Sequence, residues 1–475
     1  MIQKILLLLF VTSSAFGSLN GPFSPKSRLL PAAGTTDAEQ LWHTQIVDHS
    51  RPLDTRTFSQ RYFMTKDHYV QGGPIFLFLD GEWDATGNYI SNTSFVGQMA
   101  ARLNGALFEL EHRYYGLSQP IGDLETESLL YLSIDQALAD AADFALKMNE
   151  IHNFTGPWIV CGTSYSGMIA GFARQKYSHV FHAAYSSSGQ QEAKVDFFEY
   201  HEMTGVGLAK VNPLCPGYLS AAMDEMVALI SSQQPASLQY VSTAFNLCPE
   251  SDLTLLTDAR YLYALVANLY GAVVQFAFPG MISAECDKLM DGTGTPLLNL
   301  AEVVKQAYPN ICLNVHYDDL MEFYRNSTAV APGNNYRQYI YQTCTELGWF
   351  FTLSGNSPFG NVVPVEYFID SCADVLGEQF SQAILEAGVA RTNLEYGGKI
   401  PDVTRAIFTH GSFDGWTKVA AEADINADAP VIVIQDVGHA AEQFFFENDP
   451  PQLIAARERV ELTIAQWISQ FNQSF

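Results

Sequence analysis

Short apolar runs alternate with stretches of helical character at both ends of the chain, and a different pattern fills the middle. Residues 58–63, 75–79, 106–111, 158–161 and 183–186 are runs of strand length, rich in Phe, Leu, Ile, Val and Tyr. Between them, residues 133–150 have helical composition behind a serine start signal, and 168–176 also have helical character. Two further runs, 405–409 and 431–434, resume the pattern near the C-terminus. Strands alternating with helices predict an α/β core: a mostly parallel sheet with flanking helices.

From about residue 196 to 396 the strand runs stop and helical stretches take over, as at 219–232 and 259–276. The chain therefore divides into a first core segment (40–195), an inserted helical cap (196–396) and a second core segment (397–475), with no internal repeats. A cap of this kind narrows access and favours small or terminal substrates over folded proteins. Ahead of the core, Lys4 precedes a short apolar run at 5–11, and Ala15-Phe16-Gly17 supplies small residues at cleavage spacing. This reads as a secretory signal peptide over residues 1–17, too short for a membrane span.

Composition adds compartment and exclusions. The net charge of −26 and the lack of any Lys/Arg cluster argue against nucleic acid. Such acidity suits either solubility or an acidic compartment. Sequons at Asn92, Asn153, Asn326 and Asn472 suit a glycosylated secretory product. Of seven cysteines, Cys215, Cys248, Cys286, Cys312, Cys344 and Cys372 lie in the middle of the chain. They are enough for three disulfides in an oxidising compartment, with the connectivity open. Cys161 stands apart as a small buried thiol. Without C-x-x-C pairs or a histidine pattern, no metal is expected, and no cofactor.

The candidate chemistry starts at Gly162-Thr163-Ser164-Tyr165-Ser166-Gly167, between a strand run and a helix. A serine at a sharp strand-to-helix turn among small residues is a nucleophile elbow, here with Ser166 where G-x-S-x-G has its second glycine. In an α/β-hydrolase the acid and then the histidine follow, each behind a later strand. Asp414, in the loop after 405–409, and His439, in the loop after 431–434, fall in that order. Taken singly, each is also compatible with an ordinary turn or loop residue. Together they form a triad: Ser164 as nucleophile, His439 as general base and acid, Asp414 to fix its tautomer. One oxyanion donor is expected from the Tyr165 amide. The other is expected from the turn after 75–79, at Glu82 or Gly81.

The chain also resembles a known family. Asp48-His49, Phe58-Ser59-Gln60-Arg61-Tyr62, Gly72-Gly73-Pro74-Ile75-Phe76-Leu77 and Ser164-Tyr165 carry part of the likeness. Glu111-His112-Arg113-Tyr114-Tyr115-Gly116-Leu117-Ser118 and Tyr341-Gln342-Thr343-Cys344-Thr345-Glu346-Leu347-Gly348 are its most specific parts. Over nearly the whole mature length it resembles the lysosomal Pro-Xaa carboxypeptidase and dipeptidyl peptidase family of serine peptidases, and within it the thymus-specific serine protease branch. That resemblance implies an α/β-hydrolase core with an inserted helical domain, and it places Ser164, Asp414 and His439 at the family's triad positions. It also implies cleavage after proline or alanine near a peptide terminus, in a secreted or lysosomal setting. Met168 and Trp416 match two pocket positions that would grip a pyrrolidine ring.

The chain departs from the family at Ser166, at His410 and Gly415 in the acid loop, at Ala440-Ala441-Glu442 and at Asp80-Gly81-Glu82-Trp83. Glu111, His112 and Arg113 read as a structural charged trio at a strand end, pairing with Glu82 beneath the site. The alternative is that Glu82 or Glu111 anchors a substrate amino group. The expected activity is a serine exopeptidase acting on short peptides, with a homodimer as an allowed assembly and no membrane partner. A serine esterase or lipase, and an inactive peptide-binding relative, are the rival readings.

Overall fold

The computed structural model describes residues 38–328, 335–446 and 448–472, so the signal-peptide expectation at 1–17 lies outside the described residues. The core strands are β1 (Glu39–Ile46), β2 (Thr57–Thr65), β3 (Ile75–Leu79), β4 (Ala106–Leu110), β5 (Trp158–Thr163) and β6 (Phe181–Ser187). Short β7 (Lys194–Asp196) and β8 (Gly348–Phe350) pair with each other, and β9 (Ala406–Gly411) and β10 (Val431–Ile434) complete the main sheet. Its order is β1-β2-β4-β3-β5-β6-β9-β10. The pairs β1–β2 and β2–β4 are antiparallel, and every later pair is parallel.

Helices α1 (Phe95–Arg102), α2 (Ile134–His152) and α3 (Tyr165–Lys176) belong to the first half of the core. Ser133 caps α2, its side chain accepting from the Gln136 amide, as its place before the apolar run predicts. Between β7 and β9 come α4 (Glu199–Val211), α5 (Cys215–Ser231), α6 (Pro235–Phe245), α7 (Leu256–Gln275) and α8 (Met281–Leu289). They are followed there by α9 (Pro296–Ala307), α10 (Tyr317–Arg325), α11 (Tyr336–Gln342), α12 (Val365–Leu376) and α13 (Gln382–Tyr396). The last helix is α14 (Pro451–Asn472).

The two-residue period of β3 explains the layers. Ile75, Leu77 and Leu79 face an apolar cluster built with α2 and α3. Phe76 and Phe78 face the opposite cluster, with Phe95 and Met99 of α1 and Val460, Ile464 and Trp467 of α14. Each buried Phe, Leu or Ile side chain contributes about 1.5–3 kcal/mol. A strand apolar at every position is thus a strand covered on both faces. This sheet is an α/β-hydrolase core, and the inserted helices form a separate cluster around α5, α7 and α9. Three disulfides staple that insert, Cys215–Cys286, Cys248–Cys312 and Cys344–Cys372, while Cys161 is free and buried.

The charged trio after β4 is structural, but the partners of its members are other than the expected Glu82. Glu111 Oε1 accepts from Arg61 and from the Ala85 amide, and its Oε2 from the Leu117 amide and Ser118. Arg113 is fully buried and bidentate to Asp140 at 2.7 and 2.6 Å, with the carbonyls of Val47 and Tyr131 each 2.9 Å from Nη1. Removing one member of such a pair leaves a buried, uncompensated charge. Arg113→Leu is therefore expected to destabilise the fold by about 3–5 kcal/mol. Thermal and denaturant unfolding check this, and a loss below about 1 kcal/mol would contradict it.

Candidate active site

At the end of β5 the chain turns into α3 through Ser164, whose φ of 58° and ψ of −130° are strained for a residue with a side chain. Strain there is affordable because the neighbours are small. A Cβ on Gly162 would lie 2.1 Å from the Ser166 carbonyl oxygen, and one on Gly167 would lie 2.9 Å from that of Ser187. The Ser164 amide donates to the Ser187 carbonyl at 2.8 Å, tying the turn to the end of β6. Ser166 is fully buried, and its hydroxyl donates to the Thr163 carbonyl at 2.9 Å. Ser164 keeps partial exposure, so of the two serines it is the one a substrate can reach.

Asp414 and His439 come together behind β9 and β10. Asp414 Oδ2 lies 2.6 Å from His439 Nδ1, with Asp414 fully buried and His439 nearly so. Asp414 Oδ1 accepts from the Trp416 amide at 3.1 Å, which fixes the carboxylate plane. An ionised carboxylate only accepts, so Nδ1 carries the ring proton and Nε2 is left as the base. The His439 amide donates at 2.5 Å to the carbonyl of Gln275, the last residue of α7, and the ring packs edge-on against Phe276. Next to it, the Ala440 amide donates to Ser188 Oγ at 2.9 Å. The serine and histidine loops are thus anchored on consecutive residues at the end of β6. Among the described residues no hydrogen bond joins the Ser164 hydroxyl to the His439 ring, and catalytic hydrogen bonds of this kind often tighten only with substrate.

The Tyr165 amide opens α3 and has no acceptor within the helix, leaving it available to an anion. The side chain beneath it is locked. His112 Nδ1 faces the Arg113 carbonyl at 2.7 Å, so it must donate there. Its other nitrogen then accepts from the Tyr165 hydroxyl at 3.2 Å. That hydroxyl in turn accepts from Gln342 Nε2 at 2.6 Å, and Gln342 Oε1 accepts from Tyr115. Burial pushes His112 down to about 4, so the ring stays neutral across the ordinary pH range.

Gly81 and Glu82 lie in the turn directly after β3. Trp83 Nε1 donates to Asp80 Oδ1 at 2.8 Å, closing the turn. Two buried carboxylates stiffen the segment that follows: Glu109 accepts from the amides of Thr86, Gly87 and Tyr89, and Glu111 from that of Ala85. Met168 and Trp416 are 1% and 5% exposed and share one apolar cluster. Around Trp416 lie Trp349, Phe351 and Phe197, with ring centroids 5.1, 5.1 and 5.4 Å away.

A family model described as serine carboxypeptidase S28 matches residues 45–460. The chain belongs to this family. Within it, the chain is 30% identical to the thymus-specific serine protease of Mus musculus over 92% of this chain and 89% of that protein. It is 28% identical to the human thymus-specific serine protease, over 98% and 92% of the two chains. A lysosomal Pro-X carboxypeptidase of Pongo abelii is 26% identical over 97% and 94%. The chain is a serine peptidase by this membership.

Two departures from the family pattern have visible reasons. Ser166 uses its hydroxyl to satisfy Thr163 inside the elbow, so a small polar residue serves where glycine or alanine is usual. Behind His439, Glu442 takes over as an organiser that the sequence did not reveal. Its Oε1 gathers the hydroxyls of Tyr185, Ser187 and Thr409, while its carbonyl accepts from Arg457 of α14 at 2.7 Å. A lone glutamate three residues past a histidine gives no sign of that, because its partners come from β6 and β9. For His410 the structure offers no partner on either ring nitrogen, and burial pushes it down to about 4. Of the sequons, Asn92, Asn153 and Asn326 are exposed, and the Asn472 side chain lies outside the described residues.

Proposed function

We propose that the chain is a serine exopeptidase that cleaves short peptides at or near proline through a Ser164-Asp414-His439 triad and an acyl-enzyme. The observation that carries this reading is the 2.6 Å Asp414–His439 hydrogen bond, taken with a serine held at positive φ on a strand-to-helix turn. His439 Nε2 removes the Ser164 proton as the hydroxyl attacks the scissile carbonyl, then delivers it to the departing amine. The developing oxyanion is met by the Tyr165 amide and by the Gly81–Glu82 turn. Water then repeats the sequence and frees the acyl fragment. Met168 and Trp416 would form the apolar wall for proline, and the insert at 196–396 would restrict entry to chain ends. Three disulfides in the insert support a secreted or lysosomal setting, with Asn92, Asn153 and Asn326 placed for glycosylation.

A fluorophosphonate probe is the first test. Labelling should be lost in Ser164→Ala and kept in Ser166→Ala, whose cost should be about 1–3 kcal/mol of stability from the two hydrogen bonds it loses to Thr163. The opposite pattern would move the nucleophile to Ser166. A library of peptides with proline at or next to either terminus, run beside simple esters, then tests the substrate class. Turnover of esters alone would replace peptidase by esterase.

A further inference from the structure

Tyr200, the second residue of α4, touches both the loop of the proposed acid and the mount of the proposed base, yet the chemistry above gives it no part. Its ring is 2% exposed and stacks on Phe351, with centroids 3.8 Å apart and planes 8° from parallel. One edge lies against Gly415, the residue after Asp414, where a Cβ would come 2.7 Å from Tyr200 Cδ2. Gly415 is one of the departures from the family pattern, and the ring fills the space that any side chain there would need. Another edge lies against Gly271 of α7, where a Cβ would fall 2.8 Å from Tyr200 Cε1. The hydroxyl then donates to Gln275 Oε1 at 2.5 Å. Gln275 is the residue whose carbonyl accepts from the His439 amide. It also ends α7, where carbonyls have no partner within the helix and the last turn is held only by what it meets outside.

We infer that Tyr200 is a positioning residue for the general base: wedged against the acid loop, it uses its hydroxyl to fix Gln275, and through Gln275 the place of His439 relative to Asp414. This inference rests on the serine peptidase reading of the site. Proton transfer tolerates little displacement, and a shift of about 1 Å in a reacting pair can cost about 100-fold in rate. The β9–β10 pairing braces the two loops at their strands, and Tyr200 adds a second brace from the insert. A ring serving only to fill the core would do as well without its oxygen. Here the oxygen has one partner, and that partner carries the backbone contact to the imidazole loop.

Two small substitutions test this. Tyr200→Phe keeps the ring and deletes the hydroxyl, and Gln275→Met deletes the acceptor while keeping the backbone carbonyl. Each should slow fluorophosphonate labelling and lower kcat on a cleaved peptide by about 10-fold, the worth of one hydrogen bond expressed as a rate, with KM nearly unchanged. The double variant should lose no more than either single one, because both act through the same contact. The proton between Asp414 and His439 Nδ1 gives a readout independent of turnover: its far-downfield NMR resonance should shift or broaden in both variants. A merely structural role would lower Tm while leaving the rates of the folded protein and that resonance as in the parent. That result, or losses that add in the double variant, would overturn the role of Tyr200. Failure of the parent to react with a fluorophosphonate would instead remove the hydrolase reading, and the resonance would still decide about Tyr200.

Discussion

Ser164→Ala is expected to lower kcat by about 10⁶-fold while leaving KM nearly unchanged, the loss associated with deleting the nucleophile of a serine peptidase triad. The size of the effect follows from the elbow. The backbone at Ser164 is held at a φ of 58°, a conformation costly enough to persist only where surrounding contacts impose it. Those contacts, the Ser187 carbonyl and the glycines at 162 and 167, do not involve the hydroxyl. Alanine can therefore occupy the turn, and the variant should fold, bind peptide and fail at chemistry. Ser166 cannot substitute, because its hydroxyl is fully buried and committed to Thr163. Steady-state rates on a cleaved peptide, with circular dichroism as the folding control, make the measurement. A loss below about 100-fold would remove Ser164 from the role of nucleophile.

Asp414→Asn should reduce kcat by about 10⁴-fold, through a proton in the wrong place rather than a missing contact. Asparagine must present one oxygen and one NH₂ to the two partners that the carboxylate now serves. The Trp416 amide, 3.1 Å from Oδ1, can only donate, so the amide oxygen is held on that side. The NH₂ then faces His439 Nδ1 and donates to it. The ring proton moves to Nε2, and the nitrogen that should take the Ser164 proton is already protonated. The fold should be little disturbed, since both distances can be kept. Rates of the two proteins across a pH series check this, and a defect under about 10-fold would mean that Asp414 does not orient the base.

The parts of the fold that could be read from sequence are those where burial is two-sided. β3, β5 and β10 are apolar at nearly every position because helices cover both faces, and a continuous run survives inspection without an alignment. β1 does not survive it. Its inward positions include His43 and Gln45, which are buried by bonding to Asp143 and to Gln60, so the usual apolar alternation is replaced by a polar one. β7 and β8 have three residues each, too short for any period to register. Cysteine pairing was undetermined for a similar reason: six half-cystines admit fifteen connectivities, and only the packing of the insert selects one.

The site followed the same rule. Ser164, Asp414 and His439 stand at strand ends, where chain order and turn chemistry are local signals. Glu442 and Gln342 act across the fold, on hydroxyls of Tyr185 and Tyr165 contributed by other elements, and nothing near them in sequence marks that role. The true partner of Glu111 is hidden from the sequence for the same cause. Its partner Arg61 lies on β2, which pairs with β4 in antiparallel register, and adjacency of that kind cannot be seen from the glutamate alone.

The contact between the Gln275 carbonyl and the His439 amide makes the insert more than a gate. The final turn of α7 is part of the mounting of the general base, and a Cβ on Gly438 would fall 2.3 Å from that carbonyl oxygen. Transplanting an insert between relatives to transfer selectivity would also transplant one bearing of the imidazole. A chimera would need its junctions placed so that residues 275–277 and 438–439 travel from the same parent. One assembled without that match would change its turnover number before it changed its preference.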